Sequence, residues 1–372
     1  MAGGGTSFAP SLALVALAAV GAHVARLAAS RDSPHVFATV SNGAYLCAGL
    51  LCPLDDGALA VMLAGAASLA FHAQYRLAPR AAYAHTLDIA LGWVLVVHLA
   101  FAPLLAGARF AASRLRLTDD DAPWGWLRVV GRIAFYAALG TALVLMFALY
   151  DSVYHGDGGQ LVLYLIAAPV AALALAVERV FILTQPAPAE REGPLHPYAE
   201  AVLETAVLLL VLAAAVTAQG ELLGRSLTHE QQPAAYDLFH GQWHILIAVV
   251  ATAAYQRVHD VNRLARHELE RCVCHSDASE LALLGGLGVY AALVIALKEA
   301  GAGAGASEAV LGVAMLGLLG LSGTAWWRGA AARRRRRRAA AFVAVGTSAS
   351  APPTPPLGAG FRFDLDVLTT RS

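Results

Sequence analysis

Three short stretches of this chain hold residues whose types and spacing could do metal chemistry. They are Ser68 and His72 in SLAFH, Asp88 in HTLDIALG, and His240 and His244 in HGQWH. Residues four apart on a helix share a face, so each of the two spaced pairs can present both side chains to one place. Three neutral imidazoles can fill three of the four tetrahedral positions around Zn²⁺ at about 2.0–2.1 Å, leaving one open for water. An open position marks a catalytic rather than a structural site. Water there acidifies toward a pKa of about 7, and a carboxylate such as Asp88 can take its proton or hold it in line. Ser68, one turn from His72, could hydrogen-bond a substrate carbonyl or the developing oxyanion.

Taken singly, each residue has a plainer reading. A lone histidine near a helix end is more often an interfacial side chain or an interhelical hydrogen-bond partner than a ligand. An aspartate in hydrocarbon costs about 2.5–3.5 kcal/mol at a helix centre, less near an end, and pairing of Asp88 with Arg76 or Arg80 would suffice to explain it. The set is what carries chemical meaning, and it has meaning only if the helices bring the residues together.

Those helices belong in a membrane. Of 372 residues, 58% are hydrophobic and 14% charged, with a mean hydropathy of +0.59, against about 25% charged in soluble chains. The apolar residues are bunched in runs near the roughly 20 needed to cross about 30 Å of hydrocarbon. Ten candidate spans follow, at roughly 10–29, 35–52, 57–75, 85–106, 127–150, 160–184, 199–223, 237–256, 280–299 and 308–327. The arginines at 109, 114, 116, 191, 257, 263, 266, 271 and 328, with the run Arg333–Arg338, fall on the side holding both termini, which the positive-inside rule makes cytoplasmic. The third span then ends, and the fourth and eighth begin, near the extracytoplasmic face. Ser68, His72, Asp88, His240 and His244 are all expected there.

Other features carry less. The first span could be a cleaved signal peptide, though it lacks a basic leading region. Cys272, Cys274 and His275 form a weak metal or palmitoylation signal in a basic loop. Lys298 at the end of an apolar helix reads as a snorkelling interfacial residue. Glu204 could line the site cavity from the seventh span. Arg333–Arg338 reads as an anchor on anionic lipid. Nucleic acid has no plausible access.

Serine, three residues, histidine, then an aspartate at the start of the next helix, then a late HxxxH helix resembles the CREST-type superfamily. That group comprises the alkaline ceramidases, the progestin and adipoQ receptors, the lipid-remodelling factors of GPI anchors and the myomaker-like transmembrane proteins. Phe71 before the first histidine and the interval from His72 to Asp88 look closest to the myomaker-like branch. The resemblance implies a zinc ion held by His72, His240 and His244, with Asp88 on the metal's water and Ser68 beside it. It implies a seven-helix core, with one extra span before it and two after it. No acidic cluster in the first core helix matches the calcium site of the ceramidases, since Asp55 and Asp56 fall in the following loop.

The expected protein is an all-α integral membrane chain in five parts. They are an amino-terminal span or signal peptide over 1–34, the seven-helix core with its metal site over 35–256, a basic cytoplasmic loop over 257–279, two further spans over 280–327, and a polybasic, proline-rich disordered tail over 328–372. The expected function is zinc-dependent hydrolysis of a membrane lipid amide or ester. The alternative is a non-catalytic, receptor-like or myomaker-like protein in which zinc only clamps helices.

Overall fold

In the computed structural model the regular elements among the described residues are all helices. The structure describes residues 9–29, 35–77, most positions between 84 and 106, 197–219, 232–265 and 278–349. In chain order the helices are α1 (Ala9–Ala28), α2 (Val36–Ser41), α3 (Gly43–Leu50), α4 (Asp55–Leu77), α5 (Pro197–Gln219), α6 (Pro233–Ala265), α7 (Ala278–Glu299) and α8 (Ala304–Ala349). A short helical stretch, Leu87–Val96, lies between α4 and α5 in the chain. Among the described residues, six helices are long and apolar enough to cross a membrane: α1, α4, α5, α6, α7 and the first part of α8. This is the make-up of an all-α integral membrane protein. The expected spans at 127–150 and 160–184, and the loop with Cys272, Cys274 and His275, lie outside the described residues.

Among the described residues, those up to Arg328 form one compact unit and those from Gly329 belong to a second. The helix expected to end at Trp327 continues through the arginine run to Ala349, with Arg334 and Arg335 exposed.

α6 is the hub of the first unit. Its 33 residues extend about 50 Å at 1.5 Å per residue, and its apolar length is buried throughout. It begins with a proline, which suits the first helical position because no intrahelical N–H bond is lost there. A helix apolar on every side must be enclosed by others. Lipid tails are as apolar as leucine, so such helices hold one another by close backbone approach and by polar links.

Both devices are present. A Cβ on Gly241 of α6 would overlap the Phe37 ring and stand 3.0 Å from Ser41 Oγ, so α2 lies against α6 beside the histidines. A Cβ on Gly65 of α4 would stand 2.6 Å from the Cβ of Tyr45, which seats α3 on α4 in the same way.

The polar links begin at Asp237, one turn before His240. Its carboxylate accepts the backbone N–H of Phe37 at 3.1 Å and of Ala38 at 2.9 Å. These are first-turn amides of α2, which no side chain at its own N-cap satisfies. Arg26 of α1 pairs with Asp237 and donates from Nε to Glu308 of α8 at 3.0 Å. Asp237 and Arg26 together thereby tie α1, α2, α6 and α8.

The sequence leads one to expect a single span over 35–52, but the chain breaks there into α2 and α3. The Ala38 carbonyl accepts Ser41 Oγ at 3.1 Å and Asn42 Nδ2 at 2.8 Å. Such local side-chain bonds compete with the helical ladder and open it. Together α2 and α3 cover only Val36–Leu50, short of the usual spanning length.

Lys298 also departs from expectation. It is buried and donates to the Thr217 carbonyl in the last turn of α5, where carbonyls lack helical partners and the helix dipole favours a cation. Asp55 and Asp56 lie in the first turn of α4 rather than in a loop, at the end where the dipole favours carboxylates.

Candidate metal centre

Two helix ends build the site. His72 lies five residues before the end of α4 and His240 seven after the start of α6, about 8 and 10 Å along antiparallel axes. The side chains therefore meet at one level, toward one end of each helix. His72 Nε2 and His240 Nε2 are 3.0 Å apart, and the three candidate ligand nitrogens of His72, His240 and His244 all lie within 4.8 Å of one another. Nitrogens bound tetrahedrally to zinc at 2.0–2.1 Å stand about 3.3 Å from each other. The His72–His240 pair, at 3.0 Å, is slightly closer than that spacing. All three residues are buried.

Outer contacts orient the rings. Ser41 Oγ stands 3.1 Å from the Ala38 carbonyl and 2.9 Å from His244 Nδ1, with a single proton to give. With that proton on the Ala38 carbonyl, His244 carries its own on Nδ1 and its Nε2 lone pair faces inward. His72 Nδ1 meets His35 Nδ1 at 3.3 Å while its Nε2 faces His240. His240 is stacked on Tyr236, with centroids 5.3 Å apart and planes at 19°. Rings held at one nitrogen or one face, with the other nitrogen directed to a common point, are the arrangement found around bound metals.

Ser68 lies between the two halves. Its Oγ is 3.1 Å from His244 Nε2 and also hydrogen-bonds the carboxyl of Asp88, which is half-buried on the Leu87–Val96 stretch. A serine has one proton. When Asp88 is ionised and takes it, a lone pair on Ser68 faces a lone pair on His244, and a cation or a further donor relieves the repulsion. The donor set of three imidazole nitrogens, with an oxygen pair alongside, suits a borderline-soft divalent ion. The residues present can hold a metal ion.

All five residues singled out in the sequence, Ser68, His72, Asp88, His240 and His244, are thus brought together. Asp88 bonds to Ser68, and the alternative partners Arg76 and Arg80 lie outside the described side chains. Glu204 is elsewhere. It forms an ion pair with Arg257 of α6, 13 residues and about 20 Å beyond His244, because α5 and α6 run antiparallel and Glu204 lies in the first turns of α5.

Three residues of the site escape a reading by spacing: His35, Ser41 and Asp237. None stands at a helical interval from a ligand on its own helix except Asp237, three before His240. An aspartate opening an apolar helix is a signal in itself, since such a carboxylate needs a partner.

Comparison with protein-family models, with curated proteins and with solved structures gives no match.

Proposed function

We propose that this chain is a zinc-dependent hydrolase that cleaves an amide or ester bond of a long-chain membrane lipid, on a seven-helix core of the CREST type flanked by one helix before it and two after it. The observation that carries the reading is the meeting of three imidazoles from two antiparallel helices with the Asp88–Ser68 pair. Amide and ester cleavage needs a Lewis acid, a proton acceptor and an oxyanion donor in one place, and these residues can supply or hold all three.

His72, His240 and His244 would hold a zinc ion, which when bound would supply Lewis acidity and a nucleophilic water near neutral pH. Asp88 is placed to accept the proton of the attacking water at its carboxylate and to return it to the leaving group. Ser68, freed from Asp88 once that carboxylate is protonated, donates its Oγ–H to the oxygen that becomes negative. Ser41 and His35 keep His244 and His72 presenting Nε2. The apolar walls of α3, α4 and α6 exclude bulk water, which strengthens each of these interactions. The site sits within two to three turns of the helix ends, which favours a lipid whose head group stays at the interface. By the arginine distribution this is the extracytoplasmic face, with both termini in the cytoplasm and Arg333–Arg338 on anionic lipid.

Full burial of His72 and His244 favours a second reading, in which the metal clamps α4 to α6 without turnover. Purified protein in lipid nanodiscs separates the two. The hydrolase reading expects about one zinc per chain and release of fatty acid from a panel of N-acyl and O-acyl lipids, both lost in His240→Ala/His244→Ala. Zinc without turnover on every lipid of the panel would leave the clamp, and no metal in folded protein would remove both.

A further inference from the structure

We infer that His35 is the positioning partner of His72, and that Asp237 holds it in place from the opposite helix. The inference rests on the metal reading above but names a residue outside the ligand set.

His35 is the N-cap residue of α2 and is buried. Its backbone is left-handed, with φ 58° and ψ 19°, the only such non-glycine residue among those described. A side chain other than glycine, asparagine or aspartate rarely adopts this conformation without something to hold it. Asp237 supplies the hold. By taking the N–H groups of Phe37 and Ala38 it fixes the first turn of α2 immediately after His35. The same carboxylate also pairs with Arg26 of α1. The His35 carbonyl accepts the Thr39 N–H at 2.9 Å, which closes the turn from the other side.

The conformation places the ring against His72. The two rings stack with centroids 5.4 Å apart and planes at 28°, and the two Nδ1 atoms are 3.3 Å apart. Two imidazole nitrogens at that distance share one proton. His72 must keep its Nε2 lone pair for the metal, so its proton sits on Nδ1 and His35 accepts it. His35 cannot itself be a fourth ligand on the same ion, because it meets the nitrogen of His72 that faces away from His240. Its role is to fix the tautomer and tilt of a ligand, as outer-shell partners do in metal sites.

Backbone and ring effects can be separated. His35→Gly keeps the left-handed turn and removes the acceptor; His35→Asn tolerates the turn and offers a side-chain carbonyl in place of Nδ1. Zinc affinity would be measured by chelator competition on protein with an unchanged size-exclusion profile, alongside the visible spectrum of the cobalt-substituted site. The expected result is a 10–100-fold loss of affinity and a shifted cobalt spectrum in His35→Gly, with both largely restored in His35→Asn. Wild-type affinity and spectrum in His35→Gly would overturn the inference, as would equal losses in both variants. The ¹⁵N signals of the His72 ring, assigned by the His72→Gln difference, test the contact without metal. If wild-type protein binds no zinc, an Nδ1–H tautomer that becomes mixed in His35→Gly sustains the positioning role while the metal reading fails. A tautomer that does not change overturns the positioning role.

Discussion

His72 and His240 are 168 residues apart in the chain and face each other Nε2 to Nε2 at 3.0 Å. Two neutral rings can meet this way only if one carries its proton on the facing nitrogen or if an ion lies between them. Replacing any one of His72, His240 or His244 by alanine is expected to lower zinc affinity by more than the roughly 10–100-fold that loss of an outer partner costs. Elemental analysis after dialysis against a weak chelator checks this. Retention of full zinc by any of the three variants would remove that residue from the ligand set.

Asp88 touches Ser68 and stands outside the three-imidazole set. Asp88→Asn should therefore keep the metal and lose turnover by about 10²–10⁴-fold, the usual contribution of a positioned proton acceptor. Ser68→Ala should also keep the metal, with a smaller loss in kcat than in Asp88→Asn. Zinc content and initial rates on the same preparations decide the matter. A variant that loses metal and activity together would make Asp88 a structural support of the ligands.

How much of this was legible in the sequence follows from the range of the interactions. His240 and His244 share a helix face by spacing alone, and the antiparallel order of α4 and α6 follows from the alternation of spans. The meeting of Ser68, His72 and Asp88 with that pair was therefore readable. The break of the second span at Ser41–Asn42 was not, because it depends on an Ala38 carbonyl taken over by side chains. His35 escaped because its left-handed turn is imposed by Asp237, about 200 residues away. Lys298 was misread because burial of a helix-end lysine depends on the neighbouring helix terminus that it caps.

Gly241 allows α2 to lie against α6 beside the ligands, since a Cβ there would overlap Phe37. Gly241→Ala should destabilise the protein by about 1–3 kcal/mol, the usual cost of overpacking. Pairing it with Phe37→Leu should recover part of the loss, because residues in contact do not add independently. Thermal denaturation followed by size-exclusion fluorescence measures both. A Gly241→Ala protein with wild-type melting behaviour would mean that α2 is free to move away from α6.

Asp237 and Arg26 make the last prediction, because the two single substitutions should differ. Asp237→Ala takes the most buried partner from Arg26, 13% exposed, leaving it Glu308 and the Ala234 carbonyl, and leaves the amides of Phe37 and Ala38 without their acceptor. Breaking a buried pair from one side costs about 3–5 kcal/mol, and the two amides add to that. Arg26→Ala leaves Asp237 bonded to both amides, and the neighbouring Glu308 loses a partner at a half-buried position, so its cost should be smaller. The double variant should be less destabilised than the sum of the singles, since the Arg26–Asp237 interaction is then lost once rather than counted twice. Only Asp237→Ala should also weaken zinc binding, because the first turn of α2 carries the hold on His35. Additive melting shifts would show that the pair is not coupled, and unaltered zinc affinity in Asp237→Ala would confine the network to stability.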